Sequence, residues 1–97
     1  MASTVKQRKE ILMELQTIPG IGNACALDLW NIGIRNVSDL KDQNPRLLYE
    51  KLNSYSNLTH DVCMLYTFRC AVYYASEVRH DKQKLSWWYW KDKSYNE

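Results

Sequence analysis

Glycine and proline are scarce in this chain, three and two residues, and three of these five stand together at Pro19, Gly20 and Gly22. That excludes a low-complexity linker; it is the punctuation of an all-helical chain. Cysteine is also sparse: Cys25, Cys63 and Cys70 are an odd number without C-x-x-C spacing, which excludes a disulfide framework and the common zinc sites. If Cys63 and Cys70 share a helix they lie roughly 10.5 Å apart along its axis, too far to bridge. Free, mostly buried thiols in a reducing compartment are expected. Charge of one sign is missing as well. Thirteen basic side chains face 11 acidic ones, a net charge of +2, which excludes a polybasic binder that relies on bulk charge. The longest apolar stretch, Val62 to Ala75, is about 14 residues and contains Arg69, against roughly 20 needed to cross a bilayer. Met1 to Lys9 is polar and basic without an apolar core, so no secretory signal, no membrane partner and a cytoplasmic location are expected.

What is present suits one small domain over residues 1–97. The 97 residues carry 45% hydrophobic and 12% aromatic side chains, enough for a single core. Thr4 and Gln7 form a T-x-x-Q capping box, and Val5, Ile11, Leu12 and Leu15 continue at helical spacing, predicting a first helix from about Val5 to Gln16. Thr17 to Gly22 is a tight turn whose two glycines can take positive φ. Asn23 is the expected N-cap of a second helix, with Ala26, Leu27, Leu29 and Trp30 facing the core before Gly33 ends it. Ser38 is expected to cap a brief turn over Asp39 to Asp42. Asn44-Pro45 is an N-cap followed by proline at the first helical position, opening a helix to Asn53 that buries Leu47, Leu48 and Leu52. Ser54 to Thr59 is a polar break. Thr59 and Asp61 then start a helix over Val62 to Ala75, apolar nearly all round and therefore central. Leu85 to Trp90 concentrates three of the four tryptophans, and residues 91–97 read as a frayed tail.

One stretch carries chemical information. Leu15 to Ala26 fits h-x-x-h-P-G-I-G-x-x-x-A, which resembles the helix-hairpin-helix motif. The resemblance implies a turn joining two short helices, with Ala26 allowing their close approach. Backbone N–H groups of Gly20, Ile21, Gly22 and Asn23 would then hold a phosphate oxygen, aided by the positive end of the following helix dipole. Such a device grips a nucleic-acid backbone and reads no bases. L-W-N-I-G-I-R-N-V-S-D-L from Leu29 and N-P-R-L-L-Y from Asn44 look like tandem helix-hairpin-helix, or SAM-like, domains. R-C-A-V-Y-Y-A from Arg69 and W-W-Y-W-K-D from Trp87 are similar to the pathogenicity-locus family of small bacterial helix-hairpin-helix proteins, some of which carry a mitomycin-resistance label. The resemblance spans about residues 10–92. It implies an all-α, compact bundle of about five short helices, SAM-domain-like, with the C-terminal aromatic segment packed on the core.

Two departures bear on function. Asn23 follows the second glycine where DNA-binding hairpins often place Lys, Arg or Pro, and Asp28 replaces a common Lys one turn later. A carboxylate near a phosphate is repulsive. The second hairpin, Ser54 to Thr59, lacks Gly and Pro, so it lacks the means for the same N–H nest. Arg35 and Arg46, with Lys6, Arg8 and Lys9, are the cations available to support the phosphate contact or to be solvated at the surface.

Other residues have plain readings beside sharp ones. His60 and Cys63 are spaced i, i+3, two ligands short of a zinc site, and Cys63 lies in a first helical turn where the dipole lowers a thiol pKa. Its neighbours Val62, Met64 and Leu65 predict burial and inertness instead. Arg69, inside the apolar helix, needs a partner, with Asp28, Asp39 and Glu77 as candidates. Trp87, Trp88 and Trp90 are expected to cover the core rather than to stack on single-stranded bases. No P-loop, nucleophile elbow or H-x-x-x-H appears. The expectation is therefore a non-enzymatic, sequence-independent DNA-binding module, without cofactor, holding a DNA backbone weakly and linked to DNA damage or repair by the family label. The alternative is a SAM-like protein-interaction or oligomerisation module, for example a homodimer, that has lost DNA binding.

Overall fold

The structure, a computed structural model, describes residues 7–97. Among the described residues the chain is helical without a strand. The helices are α1 (Arg8–Leu15), α2 (Asn23–Asn31), α3 (Pro45–Ser56) and α4 (Val62–Ser76), with a 3₁₀ segment at Val37–Leu40 between α2 and α3 and two more, Lys82–Leu85 and Trp87–Asp92, after α4. The expected Thr4 capping box and the helical turn from Val5 lie outside the described residues. Within them, Gln7 caps α1, and its N–H donates to Glu10 Oε1 at 3.3 Å.

The sequence places α4 at the centre, and the packing follows. Leu65, Thr67, Phe68, Arg69, Cys70, Ala71, Val72 and Tyr73 form an unbroken buried run from position 67 onward, so the helix is covered on every side there. Phe68 and Val72 are fully enclosed with Leu15, Leu29, Leu40 and Leu52; each contributes about 1.5–3 kcal/mol by leaving water. Thr67 resolves its polarity locally, donating its hydroxyl to Cys63 O at 2.9 Å.

Several boundaries move by local chemistry. Gly22, at φ −92° and ψ −170°, is the N-cap of α2, and Asn23 is its first residue. Asn36 replaces Ser38 as cap of the following turn, because its Oδ1 accepts from Asp39 N at 2.9 Å and from Ser38 Oγ at 2.6 Å. The turn is therefore Val37–Leu40 rather than Asp39 to Asp42. Asn44 caps α3 as expected, accepting from the Arg46 and Leu47 N–H groups. The helix outlasts Asn53 because Ser56 Oγ returns to Leu52 O at 2.8 Å and Asn57, at φ 56°, supplies a left-handed C-cap without glycine. Leu47 is not core: it is 61% exposed. Pro45, Leu48 and Leu52 take the buried side, and their spacing leaves Leu47 about 100° round the helix.

The tail is fastened. Tyr95 packs edge-on against Tyr73 and Trp90 with ring centres 5.8 and 5.7 Å away, and Asn96 donates to Asp42 O and Gln43 O. Trp90 fills a second, smaller core with Cys70 and Tyr73, its indole N–H donating to Lys84 O at 2.9 Å. The aromatic segment thus packs on the core through Trp90, while Trp87 is half-buried and Trp88 exposed. No helix of the described residues is long and apolar enough to cross a membrane.

Candidate nucleic-acid interface

The turn between α1 and α2 is built by short-range bonds. Thr17 N–H and its hydroxyl both donate to Glu14 O, and Ile18, 1% exposed, anchors the loop in the core. Ile21 N–H closes on Ile18 O at 3.1 Å across Pro19 and Gly20, the latter at φ +84°. Proline followed by a positive-φ glycine is the arrangement of a type II turn.

This closure sorts the four candidate residues. Ile21 is spent twice, its N–H in the turn and its side chain buried, so it drops out as a phosphate donor. Gly20 is the only one of the two glycines in the left-handed region; Gly22 is extended. Gly22 O receives Ala26 N–H at 2.9 Å, and fully buried Ala26 lets α2 lie against the core. Asn23 and Ala24 are exposed first-turn residues, whose N–H groups have no acceptor within the helix. Ala24 belongs with the candidates. A helix start read one residue earlier in the sequence would have found it.

The cations divide differently from expectation. Arg8 and Lys9 line the same depression as Asn23, a cavity of about 360 Å³ bounded also by Leu12, Met13 and Gln16; Lys6 lies outside the described residues. Arg35 is at the other end of α2. Its guanidinium stacks 3.6 Å from the Trp30 ring centre and donates to Trp30 O at 2.7 Å, roughly 10 Å along the axis from Asn23. Arg46 is also committed elsewhere, 3.4 Å from Glu97 Oε2. Neither supports the turn between α1 and α2.

The acidic neighbour is real: Asp28 lies close enough to Cys25 to act on its thiol. Burial raises the Asp28 pKa, opposed by the charge of His60. The Cys25 thiol is pushed up by burial and then by Asp28, with the Gly22 N–H pulling the other way.

At the other break, Ser54 to Thr59, α3 ends and no second glycine turn forms. His60 is pinned instead: its N–H and ring Nδ1 both meet Asn53 Oδ1, at 2.8 and 2.7 Å, and Tyr49 donates its hydroxyl to His60 O. Cys63 is exposed rather than buried. Asp61, which accepts from Cys63 N at 2.8 Å, raises the thiol pKa chiefly through its hydrogen bond. Among the described residues no three His, Cys, Asp or Glu side chains are grouped to hold a metal, and His60 and Cys63 gain no further ligand. Arg69 is paired, but with none of the three expected acids: Glu97 takes it.

The profile of the pathogenicity-locus family matches residues 8–96. The chain belongs to the pathogenicity-locus family. That match covers every helix described above, from α1 to the Trp87–Asp92 segment. Searches of curated proteins and of solved structures found no match.

Proposed function

We propose that this pathogenicity-locus protein is a non-enzymatic module that holds a DNA backbone without reading sequence, using α1, the Pro19-Gly20 turn and α2 as a helix-hairpin-helix. The observation that carries the reading is the exposed start of α2. Gly22, Asn23 and Ala24 are exposed, and the positive-φ Gly20 turns the chain so that α2 begins at the surface. A phosphate oxygen placed there meets first-turn N–H groups and the positive end of the helix dipole. Lys9 borders the same depression and supplies the countercharge that Arg35 and Arg46 do not, whereas Arg8, on the same lining, carries its guanidinium toward Trp30, 5.8 Å from the ring centre.

With a net charge of only +2, one such contact binds weakly, and a useful interaction calls for a dimer or a second protein. A link to DNA damage or repair rests only on the resemblance drawn from the sequence motifs. A cytoplasmic setting fits the free thiols.

Fluorescence anisotropy with duplex, single-stranded and branched DNA, at low and physiological salt, tests this reading on the native chain and on Gly22→Asp. Gly22 is an extended N-cap with open space around a new Cβ, and Asp is a better cap than Gly. The variant therefore keeps its fold while placing a carboxylate against the phosphate. Native binding should weaken with a shallow salt slope, about −0.9 per phosphate contacted, and Gly22→Asp should abolish it. Binding that is absent at low salt, or indifferent to Gly22→Asp, sinks the proposal.

A second reading has its own observation. Leu47, Tyr55, Leu58 and Val62 are 61, 61, 56 and 47% exposed, apolar side chains that a protein partner would cover if they meet it together. Under that reading the chain is an interaction or oligomerisation module, and light scattering on the same samples reports self-association.

A further inference from the structure

A cationic depression lies where the start of α3, the middle of α4 and the tail meet, and shares no residue with the α1–α2 turn. Arg46, Arg69, Lys91, Lys93 and Ser94 line a depression of about 410 Å³ together with two carboxylates, Asp92 and Glu97. Four cations against two acids give this small region a formal +2, as much as the whole chain carries. The floor is neutral and already satisfied. Arg69, its side chain 8% exposed, holds Glu97 by Nε to Oε1 at 2.6 Å and Nη2 to Oε2 at 3.1 Å, and gives its remaining Nη1 to Trp90 O at 3.0 Å.

The walls are only partly satisfied. The acid nearest Arg46 is that same Glu97 carboxylate, at 3.4 Å and shared with Arg69, and the Arg46 side chain is 53% exposed. Among the described residues, Lys91 and Lys93 have no carboxylate within ion-pair distance; the Lys93 ammonium rests 4.5 Å from the Tyr89 ring centre instead. Lys91 and Lys93 thus line the depression without an ion-pair partner, Arg46 shares Glu97 with Arg69, and Asp92 is the one other acid on the lining, so the region keeps an excess of positive charge that a bound anion would relieve.

We propose that this depression binds a phosphate group, with the Arg46 guanidinium gripping two oxygens, Lys91 and Lys93 supplying point charge, and the Ser94 hydroxyl donating a hydrogen bond. A planar guanidinium matches two phosphate oxygens, and lysine adds charge without fixed geometry. The depression is open to solvent, so a phosphate ester can approach it as well as the free ion. The bearer is either a free phosphate compound or a nucleic-acid strand, which the experiment separates.

Amide NMR spectra of the ¹⁵N-labelled chain are recorded during titration with sodium phosphate, with sodium chloride at matched ionic strength, and with a short oligothymidylate. Saturable shifts at Arg46, Lys91, Lys93 and Ser94 with phosphate and not with chloride are expected. Tighter binding of the oligothymidylate at those same residues makes a strand the bearer; phosphate binding without it makes the bearer a free phosphate compound. The double variant Lys91→Ala/Lys93→Ala, exposed at both positions, should keep the native melting temperature and weaken binding about tenfold. Gly22→Asp should leave the site unchanged, so this proposal and the hairpin reading fail separately. Identical shifts with chloride, shifts confined to residues 22–25, or a double variant that binds as tightly as the native chain each overturn it.

Discussion

Arg69 and Glu97 join the middle of the central helix to the far end of the tail, through two hydrogen bonds of 2.6 and 3.1 Å between side chains 8 and 5% exposed. The two partners are not equivalent. Arg69 is fixed within the buried run of α4, whereas Glu97 stands on an exposed backbone position and can turn to water once released. Glu97→Ala, which strands a buried guanidinium, should cost about 3 kcal/mol, while Arg69→Met should stay within about 1 kcal/mol. Urea denaturation of the two variants measures the order; equal costs would show that the charge left behind does not matter.

The same pair sets an acid limit. Burial alone would raise the Glu97 pKa, but the Arg69 hydrogen bond and charge outweigh it, and the carboxyl lies below its ordinary value. A depressed carboxylate contributes stability in full above its unfolded pKa of roughly 4.3, and loses it as pH falls through the folded value. The difference in melting temperature between the native chain and Glu97→Gln should therefore be constant from neutral pH down to about pH 5 and shrink below the carboxylate range. A difference that persists unchanged in acid would exclude charge as its origin.

The sequence made the need for this pair legible but not its identity. Arg69 within an apolar helix demands a carboxylate, yet the acid sits 28 positions away, in a segment whose polar composition reads as frayed. Tyr95 and Asn96 fold it back by contacts that no local rule contains. Asn44-Pro45 and the buried α4 were readable because capping and all-round apolarity are local. The turn between α1 and α2 was half readable. The Pro-Gly turn is encoded in its residues, but the hydrogen bond that consumes the Ile21 N–H appears only when the turn closes. The nearest cations, Arg8 and Lys9, depend on how α1 lies beside α2.

Leu47 shows the limit of counting leucines. It adjoins Leu48 in sequence and points away from it in space, 61% against 5% exposed. Leu48→Ala should cost about 2–5 kcal/mol, whereas Leu47→Ala should stay within about 0.5 kcal/mol. Urea midpoints that fall equally would place both leucines in the core.

The two turn glycines should separate in the same way. A Cβ at either meets nothing within 4 Å, so sterics with neighbours do not decide. Backbone conformation does: Gly20 is at φ +84° and Gly22 is extended. Gly20→Ala should cost about 1–2 kcal/mol for its left-handed backbone, and Gly22→Ala less than about 0.5 kcal/mol, because the poorer N-cap is offset by the reduced freedom of the unfolded chain. Thermal melts of the two variants provide the check, and equal losses would contradict the assignment of Gly20 as the conformationally demanding position.

Cys63 should be the thiol that reagents reach first, because Cys25 is half-buried and Cys70 is buried with its pKa pushed up to about 11. Its position in the first turn of α4 would ordinarily favour the thiolate, but the Asp61 hydrogen bond and charge reverse that and raise its pKa. Asn caps a helix about as well as Asp, so Asp61→Asn keeps the Cys63 N–H capped while it removes the negative charge. Reaction with a thiol-specific disulfide reagent at neutral pH should be faster in Asp61→Asn than in the native chain. The fast phase should vanish in Cys63→Ser. An unchanged rate would mean that access rather than the neighbouring carboxylate governs this thiol, because α4 retains its cap in both proteins.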